Sequence, residues 1–521
     1  MSANIRPRLL YFNGPWHYIS DRLRASYIEP FRRLLEQDFE VISVEGDCDF
    51  RREVERHRPD AALFHTGIEC ENEPEVSITN TDAFPELPRM GYVARDPFSP
   101  SRLSAMNRLR AWRVDQSFYW ARASDSPNSV LADAIYVPWW IDDTIFRDYS
   151  EPKTLPITFT GSGWLRKQFY TWRNPVFVQL VLKLPIYHVP AFGSHQKQEV
   201  YVGESYARLL NRSMISAGCG SVCRYVTLKL FEIPAARCCL ITEETELLKA
   251  LGFVDGVNCV FVTEQNVVAK VQALLDDPAQ LQAITDAGFK LVHERHTARN
   301  RRMFAEWLQL WRQRRPGQRV VQSGAFAPLR LVNSDTALPP AFPTENPLND
   351  QLRGGYAHLE AGRWHEAIEQ FKQVLEMVPY VAEAQLGGVI ALLNLGLVAN
   401  AVRLLESIQT NQHKLFAGTT PDPLVLAFTV ITLARNNQSS RAIDLLAEHA
   451  HLKHPALNAL RWVSAARWPA LQRKHPAWAA DENCETQTVE TLHVLPARSF
   501  SAWVDYWHGW LNPQSTLAAS A

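Results

Sequence analysis

Over residues 8–138 the chain alternates short apolar runs with stretches of helical period, and few folds satisfy that alternation. The runs at 8–12, 40–44, 61–65, 90–94, 116–120 and 135–138 are long enough for strands and too short for helices. Between the first two, Leu23, Tyr27, Phe31, Leu34 and Leu35 recur at helical spacing, which predicts a helix with one face on a sheet. Pro30 inside that stretch predicts a kink or a split helix, because it lacks an N–H and crowds the preceding turn. Strands joined by crossover helices make a parallel sheet, so residues 1–147 read as a Rossmann-like unit. A second series starts after Tyr149, with strands at 157–160, 186–189, 238–242 and 258–263, and a helical run from Val267 to about Arg312. Residues 148–315 therefore read as a second such unit. The expected ligand cleft lies where the carboxyl ends of the two sheets face each other.

At 521 residues the chain exceeds what one core can organise, so several domains are expected. Basic and acidic residues nearly cancel, 54 against 55, which argues against a nucleic-acid or anionic-membrane partner recognised by overall charge. The first residues read as a strand, not a secretion signal. The most apolar later stretch, 174–193, is broken by Lys183 and three prolines, so no membrane span is expected. Eight cysteines fit reduced, buried thiols in a cytoplasmic protein. Cys219, Cys223, Cys238 and Cys239 lack C-x-x-C spacing, and neighbours on a strand point to opposite faces, so structural thiols are favoured over a metal site.

Residues 316–347 hold six prolines and no sustained period, the mark of a linker, a surface strap or an arm on the preceding domain. Residues 348–521 contain a repeat. Gly362 and Ala367 recur as Gly396 and Ala401, 34 residues later, and Phe371 is matched by Leu405. A third copy at Asn437, Ala442 and Leu446 is offset by 41, as though 413–423 carried an insertion. Period, small residues and the closing Pro379 resemble tetratricopeptide repeats, stacked helix pairs suited to binding peptides. The tryptophan-rich tail reads as capping helices. The expected fold class is thus α/β plus all-α.

Two motifs carry the chemistry. Val137-Pro138-Trp139-Trp140-Ile141-Asp142-Asp143-Thr144-Ile145-Phe146 resembles the inter-domain signature V-P-x-x-[VI]-D-x-x-x-F of group-1 glycosyltransferases, with Trp139-Trp140 where Asn-Gly is usual. Phe231-Glu232-Ile233-Pro234-Ala235-Ala236 resembles their glutamate-bearing helix start, E-x-x-A-x-G, with Arg237 in place of the glycine. The glutamate usual eight residues before Glu232 is Arg224, and the stretch from Arg224 to Phe304 is similar to a spore-maturation CgeB-like subgroup. The resemblance implies a GT-B arrangement of two Rossmann-like domains and transfer from a nucleotide-diphosphate sugar. It also implies retention of configuration, with no cofactor and no obligatory metal. It implies that Gly161, Ser162 and Gly163 after the strand, with Arg166, Lys167, Arg224 and Lys229, face the donor diphosphate, and that Glu232 grips the ribose. Arg224 and Glu232 are the catalytic candidates.

His65 and Asp96, each near a strand end of the first unit, are candidates for acceptor binding or proton transfer, although a lone strand-end histidine is more often structural. His293 and His296 read as surface residues. The repeats point to a protein acceptor, bacterial surface or flagellar, or to a polysaccharide assembly. The rival reading is a catalytically silent transferase-like scaffold that works through the repeats.

Overall fold

The structure is a computed structural model that describes residues 6–19, 23–68, 73–121, 131, 133–161, 169–190, 201–324, 327–336, 346–415, 420–479, 486–493 and 499–511. In the first unit the strands are β1 (Arg8–Asn13), β2 (Glu40–Glu45), β3 (Ala61–Ile68), β4 (Arg89–Ala94), β5 (Gln116–Tyr119) and β6 (Ile135–Tyr136). They form one parallel sheet in the order β2-β1-β3-β4-β5-β6. The helix expected between the first two strands is split. A π-helical turn, Arg24–Ile28, runs into α1 (Glu29–Glu36) with Pro30 at its start, and Phe31, Leu34 and Leu35 are buried on the sheet. Helices α2 (Phe50–His57) and α3 (Arg102–Ala111) complete the unit.

The second unit repeats the order. Its strands are β7 (Leu155–Gly161), β8 (Ile186–Pro190), β9 (Ser213–Ala217), β10 (Cys239–Thr242) and β11 (Val260–Phe261), all parallel in the order β8-β7-β9-β10-β11. The order in both sheets reverses between the first and third strands, which opens a crevice at their carboxyl ends. The central strand β9 is absent from the expectations above. It is short and polar, and its serines are satisfied inside the sheet: Ser213 Oγ lies 2.5 Å from Thr158 Oγ1, and Ser216 Oγ donates to the Thr158 carbonyl at 2.9 Å. Cys238 and Cys239, adjacent at the start of β10, are buried in the cores on opposite sides of this sheet.

Around the second sheet lie α4 (Arg173–Lys183), α5 (Glu204–Asn211), α6 (Lys229–Ala235), α7 (Glu246–Ala250), α8 (Val267–Asp276) and α9 (Pro278–Arg295). The helical run expected to about Arg312 is broken, and its last part, α10 (Met303–Gln313), crosses back to the first unit. There Met303, Phe304, Trp307 and Leu308 enter the core beside Phe31 and Phe118. The proline-rich stretch contains an antiparallel hairpin, β12 (Gln318–Gln322) and β13 (Leu329–Asn333), that also packs on the first unit as an arm. Gln322 Oε1 accepts from the Tyr136 N–H at 2.8 Å.

The C-terminal region is helical: α11 (Pro347–Glu360), α12 (Trp364–Met377), α13 (Ala382–Asn394), α14 (Val398–Leu415), α15 (Pro423–Arg435), α16 (Ser439–Glu448), α17 (Pro455–Arg467), α18 (Pro469–Lys474) and α19 (Phe500–Leu511). The repeated positions have matching places. Gly362, Gly396 and Asn437 are left-handed in the turns between paired helices, at φ +70°, +73° and +58°. Ala367, Ala401 and Ala442 are buried where the pairs touch. In the tail, Trp507 of α19 donates to the Ala456 carbonyl at 2.8 Å.

This region packs tightly on both other units. Phe98 of the first unit and Val222 and Cys223 of the second belong to its core. Arg102 at the start of α3 and Glu383 at the start of α13 form a buried ion pair at 2.9 Å, with their side chains 1% and 5% exposed. Removing one partner of such a pair strands a charge out of water, which costs about 3–5 kcal/mol, whereas an apolar pair of similar volume is tolerated. Glu383→Ala is therefore expected to lose about 3 kcal/mol or more in urea unfolding followed by tryptophan fluorescence. An Arg102→Leu/Glu383→Leu double variant should recover most of that loss.

Candidate functional site between the two parallel sheets

Three strand ends of the second sheet meet at one place. At the end of β7, Gly161 sits at φ +126°, and a Cβ there would fall 1.6 Å from Arg173 Nη2, so only glycine fits. The preceding Thr160 carbonyl accepts from Arg173 Nη2 at 2.8 Å and from Lys229 Nζ at 2.9 Å. Two cations are thus drawn to the strand-end turn. Arg173 is buried, its guanidinium lying over the Tyr170 ring at 4.9 Å and the Phe159 ring at 5.5 Å. Thr160 Oγ1 is 3.0 Å from the Tyr206 hydroxyl, and the buried Tyr206 phenol is held far above its ordinary pKa by burial first and the nearby Glu232 charge second. Lys229 and Glu232, three residues apart, share one face of the short helix α6.

At the end of β9 the chain makes a tight loop. Ser221 and Arg224 are both left-handed, at φ +75° and +50°, and a Cβ on Gly220 would meet the Tyr225 carbonyl oxygen at 2.1 Å. Arg224 is exposed at the tip. Directly after β10 comes Glu243, whose carboxylate accepts from the Gly220 N–H at 3.2 Å. Burial pushes its pKa up to about 6, while the Gly220 N–H and the Arg224 guanidinium pull the other way. A carboxyl that titrates near neutrality at a strand end is a candidate for chemistry. The sequence signal for Glu243 was its place immediately after a predicted strand, much as Asp96 follows the strand at 90–94.

Of the residues singled out from sequence, Gly161, Arg224, Lys229 and Glu232 lie around these strand ends. Ser162, Gly163, Arg166 and Lys167 lie outside the described residues. Arg173 and Glu243 were not foreseen. Across the cleft, Asp96 follows β4, is exposed, and stands near the Tyr225 phenol of the second unit. His65 is buried near the end of β3. Its Nδ1 accepts from the Gly67 N–H at 3.1 Å, and its ring meets Trp16 and Phe31 edge-on at 5.1 and 5.6 Å. Burial, with Arg95 adding to it, lowers its pKa to about 3, so the ring is neutral at physiological pH.

The inter-domain segment folds as a crossing. Arg301, buried, donates to the carbonyls of Pro138 at 3.0 Å, Trp139 at 2.9 Å and Arg295 at 2.9 Å, and lies 3.0 Å from His296 Nδ1. The Ile141 N–H donates to the His296 carbonyl at 2.9 Å. His296 is therefore not a surface residue: it is buried, stacks on Phe231 at 4.5 Å, and has its pKa lowered to about 3 by burial and then by Arg301. Its partner His293 is half-buried, 3.1 Å from the Ala235 carbonyl. Arg237 is left-handed at φ +53° and pairs with Asp148 at 3.1 Å and Asp286 at 2.9 Å. Among the described residues no group of three or more His, Cys, Asp or Glu is arranged to hold a metal ion, and no helix is long and apolar enough to cross a membrane.

Residues 145–309 match the model of a family described as glycosyl transferase-like. No curated protein matches the chain. Among solved structures, Anabaena HepE in complex with UDP and glucose is 12% identical, with 58% of this chain and 100% of that one covered and a TM-score of 0.36. Sucrose-phosphate synthase from Thermosynechococcus elongatus is 10% identical over 59% and 99%, at 0.38. The pneumococcal O-GlcNAc transferase GtfA is 13% identical over 49% and 51%, at 0.27.

The site's titrating groups act on stability in opposite directions. Glu243 holds its proton more tightly folded than unfolded, so its contribution is present below pH 4.5 and lost as pH rises through about 6. Glu243→Gln should therefore gain up to about 2 kcal/mol at pH 7.5 over its difference from the parent at pH 4. His65 and His296 are lowered, so their contribution is present above 6.5 and fades as pH falls toward 3. Urea unfolding across pH should show an acid-labile parent whose acid limb Glu243→Gln leaves in place.

Proposed function

We propose that this chain is a glycosyltransferase that moves a sugar from a nucleotide-diphosphate sugar to an acceptor, with the donor on the second unit. The observation that carries the reading is the convergence of Lys229 and Arg173 on the Thr160–Gly161 turn, with Glu232 one turn along the helix from Lys229, inside the glycosyl transferase-like span. In this reading Glu232 accepts hydrogen bonds from the ribose hydroxyls. Lys229 and Arg224 face the diphosphate, joined by Arg166 and Lys167, and backbone amides at Gly161, Ser162 and Gly163 approach it closely.

As the bond from the sugar's anomeric carbon to the diphosphate breaks, negative charge collects on the leaving oxygen. Fixed cations there lower the barrier. No metal is needed, and configuration at the anomeric carbon is retained. The acceptor hydroxyl approaches from the first unit, past Asp96, while neutral His65 serves as part of the wall. The helix pairs act as tetratricopeptide-like repeats that bring a protein acceptor, such as a bacterial surface or flagellar protein, or a polysaccharide to a cytoplasmic enzyme.

The deciding experiment is a thermal-shift and product assay against UDP-, GDP-, TDP- and CMP-linked sugars. One donor is expected to stabilise the chain and to release its nucleotide. Glu232→Ala should abolish both effects, and Lys229→Ala should weaken donor binding by about 10–100-fold, the worth of one charge-assisted hydrogen bond. Silence across the whole panel would favour the scaffold reading.

A further inference from the structure

The helical region opens where its period lengthens from 34 to 41 residues. At the first junction between pairs, the Phe371 ring fills the space. A Cβ on either Gly355 or Gly387 would fall 2.4 Å from it. At the second junction the repeat puts the smaller Leu405 in the place of Phe371, and α14, α15 and α16 border a slot of about 270 Å³. Its apolar lining is Val402, Leu405, Leu433 and Leu445. Thr429 and Thr432 also line it, but their hydroxyls donate to the Val425 and Phe428 carbonyls of their own helix, at 2.8 and 2.6 Å. The slot is therefore poorer in free hydrogen-bonding groups than its composition suggests.

The rim has one dominant sign. Glu406, Asp444 and Glu448 are exposed around the slot, and among its described lining residues Arg441 is the one cation. Asp444 and Glu448 are four residues apart on α16, a like-charge spacing that weakens a helix standing alone. Lys474 reaches Asp444 only at 4.0 Å, and among the described residues Glu406 and Glu448 have no ion-pair partner. An apolar slot of this size ringed by carboxylates complements a segment with the opposite arrangement.

We propose that this slot docks a basic amphipathic helix of a partner protein, whose apolar face enters between the second and third helix pairs while its lysines or arginines meet Glu406, Asp444 and Glu448. The proposal deepens the partner-binding role given above to the helical region and is independent of donor chemistry.

The test uses the full chain and a fluorescein-labelled synthetic helix of about four turns, with leucines on one face and lysines beside them. A twin peptide carries glutamates in place of the lysines. In fluorescence anisotropy the lysine peptide should bind, the twin should not, and salt should weaken the complex. Glu406→Lys/Glu448→Lys should weaken binding by at least about tenfold without changing the thermal melt. Leu445→Trp, which fills the slot, should do the same by bulk alone. Equal binding of both peptides, undiminished affinity in both variants, or no binding would each overturn the proposal. The same variants run against the nucleotide-sugar panel separate its failure from that of the transferase reading, since they leave the donor cleft untouched.

Discussion

One buried cation ties the two parallel sheets together. The chain passes between the units twice, outward through 137–141 and back through 295–301. Arg301 bonds to both passages, through the Pro138 and Trp139 carbonyls on one and Arg295 and His296 on the other. A guanidinium suits this place because its planar fork offers five donors at once and stays charged. Even with burial lowering its pKa to about 10, Arg301 is a cation at neutral pH. Burial, with the Arg301 charge adding to it, keeps His296 neutral, and the neutral ring stacks on Phe231 of the glutamate-bearing helix α6. The position of Glu232 therefore depends, through two contacts, on the crossing. The Trp139-Trp140 pair acts on the same joint: Trp139 packs against Tyr27 and Trp120, and Trp140 lies 6.2 Å from Phe31.

The helical region makes a third wall. Asp422, the N-cap of α15, accepts from Leu424 and Val425 of its own helix and from the Thr491 hydroxyl and the Leu492 N–H. Leu492 is buried in the core of the first unit, and the adjacent Glu490 N–H donates to Asn107 of α3 at 2.7 Å. With Arg102–Glu383 nearby, the repeats are fixed to the first unit by buried polar contacts, and Val222 and Cys223 bring the loop that carries Arg224 into the same core. Such a region is not a tethered module. A partner bound to the repeats would act on a body already in contact with both sides of the cleft, and deleting the repeats would uncover Phe98, Val222 and Cys223.

What the sequence disclosed followed from period. The six strands of the first sheet, the split at Pro30 and the turn residues Gly362, Gly396 and Asn437 all rest on local pattern, and local pattern survives in the fold. What it hid depended on long-range partners. Strand β9 has too few apolar residues to announce itself, because its serines find partners on a strand more than 50 residues earlier. The run to Arg312 looks like one domain's helix, yet α10 packs on the other unit because its Phe304 and Trp307 complete an aromatic core there. Arg173 was passed over because only the fold brings it to the Thr160 carbonyl, 13 residues back along the chain. The burial that shifts Glu243 is likewise invisible until the loop after β9 closes over it.

The two departures from the glycosyltransferase pattern near Glu232 differ in kind. At position 237 the pattern has glycine, and the backbone here is left-handed, which favours glycine and costs other residues about 1 kcal/mol. Arg237 adopts that conformation and is held by Asp148 and Asp286, so the substitution changes the residue and keeps the shape of the helix end. At position 224 the pattern has a glutamate and this chain a left-handed, exposed arginine, the opposite charge. A site that exchanges a carboxylate for a guanidinium must rebalance its charge or bind a more anionic ligand. Glu243, close enough for Arg224 to affect its titration, places a carboxyl at the end of the neighbouring strand beside that arginine.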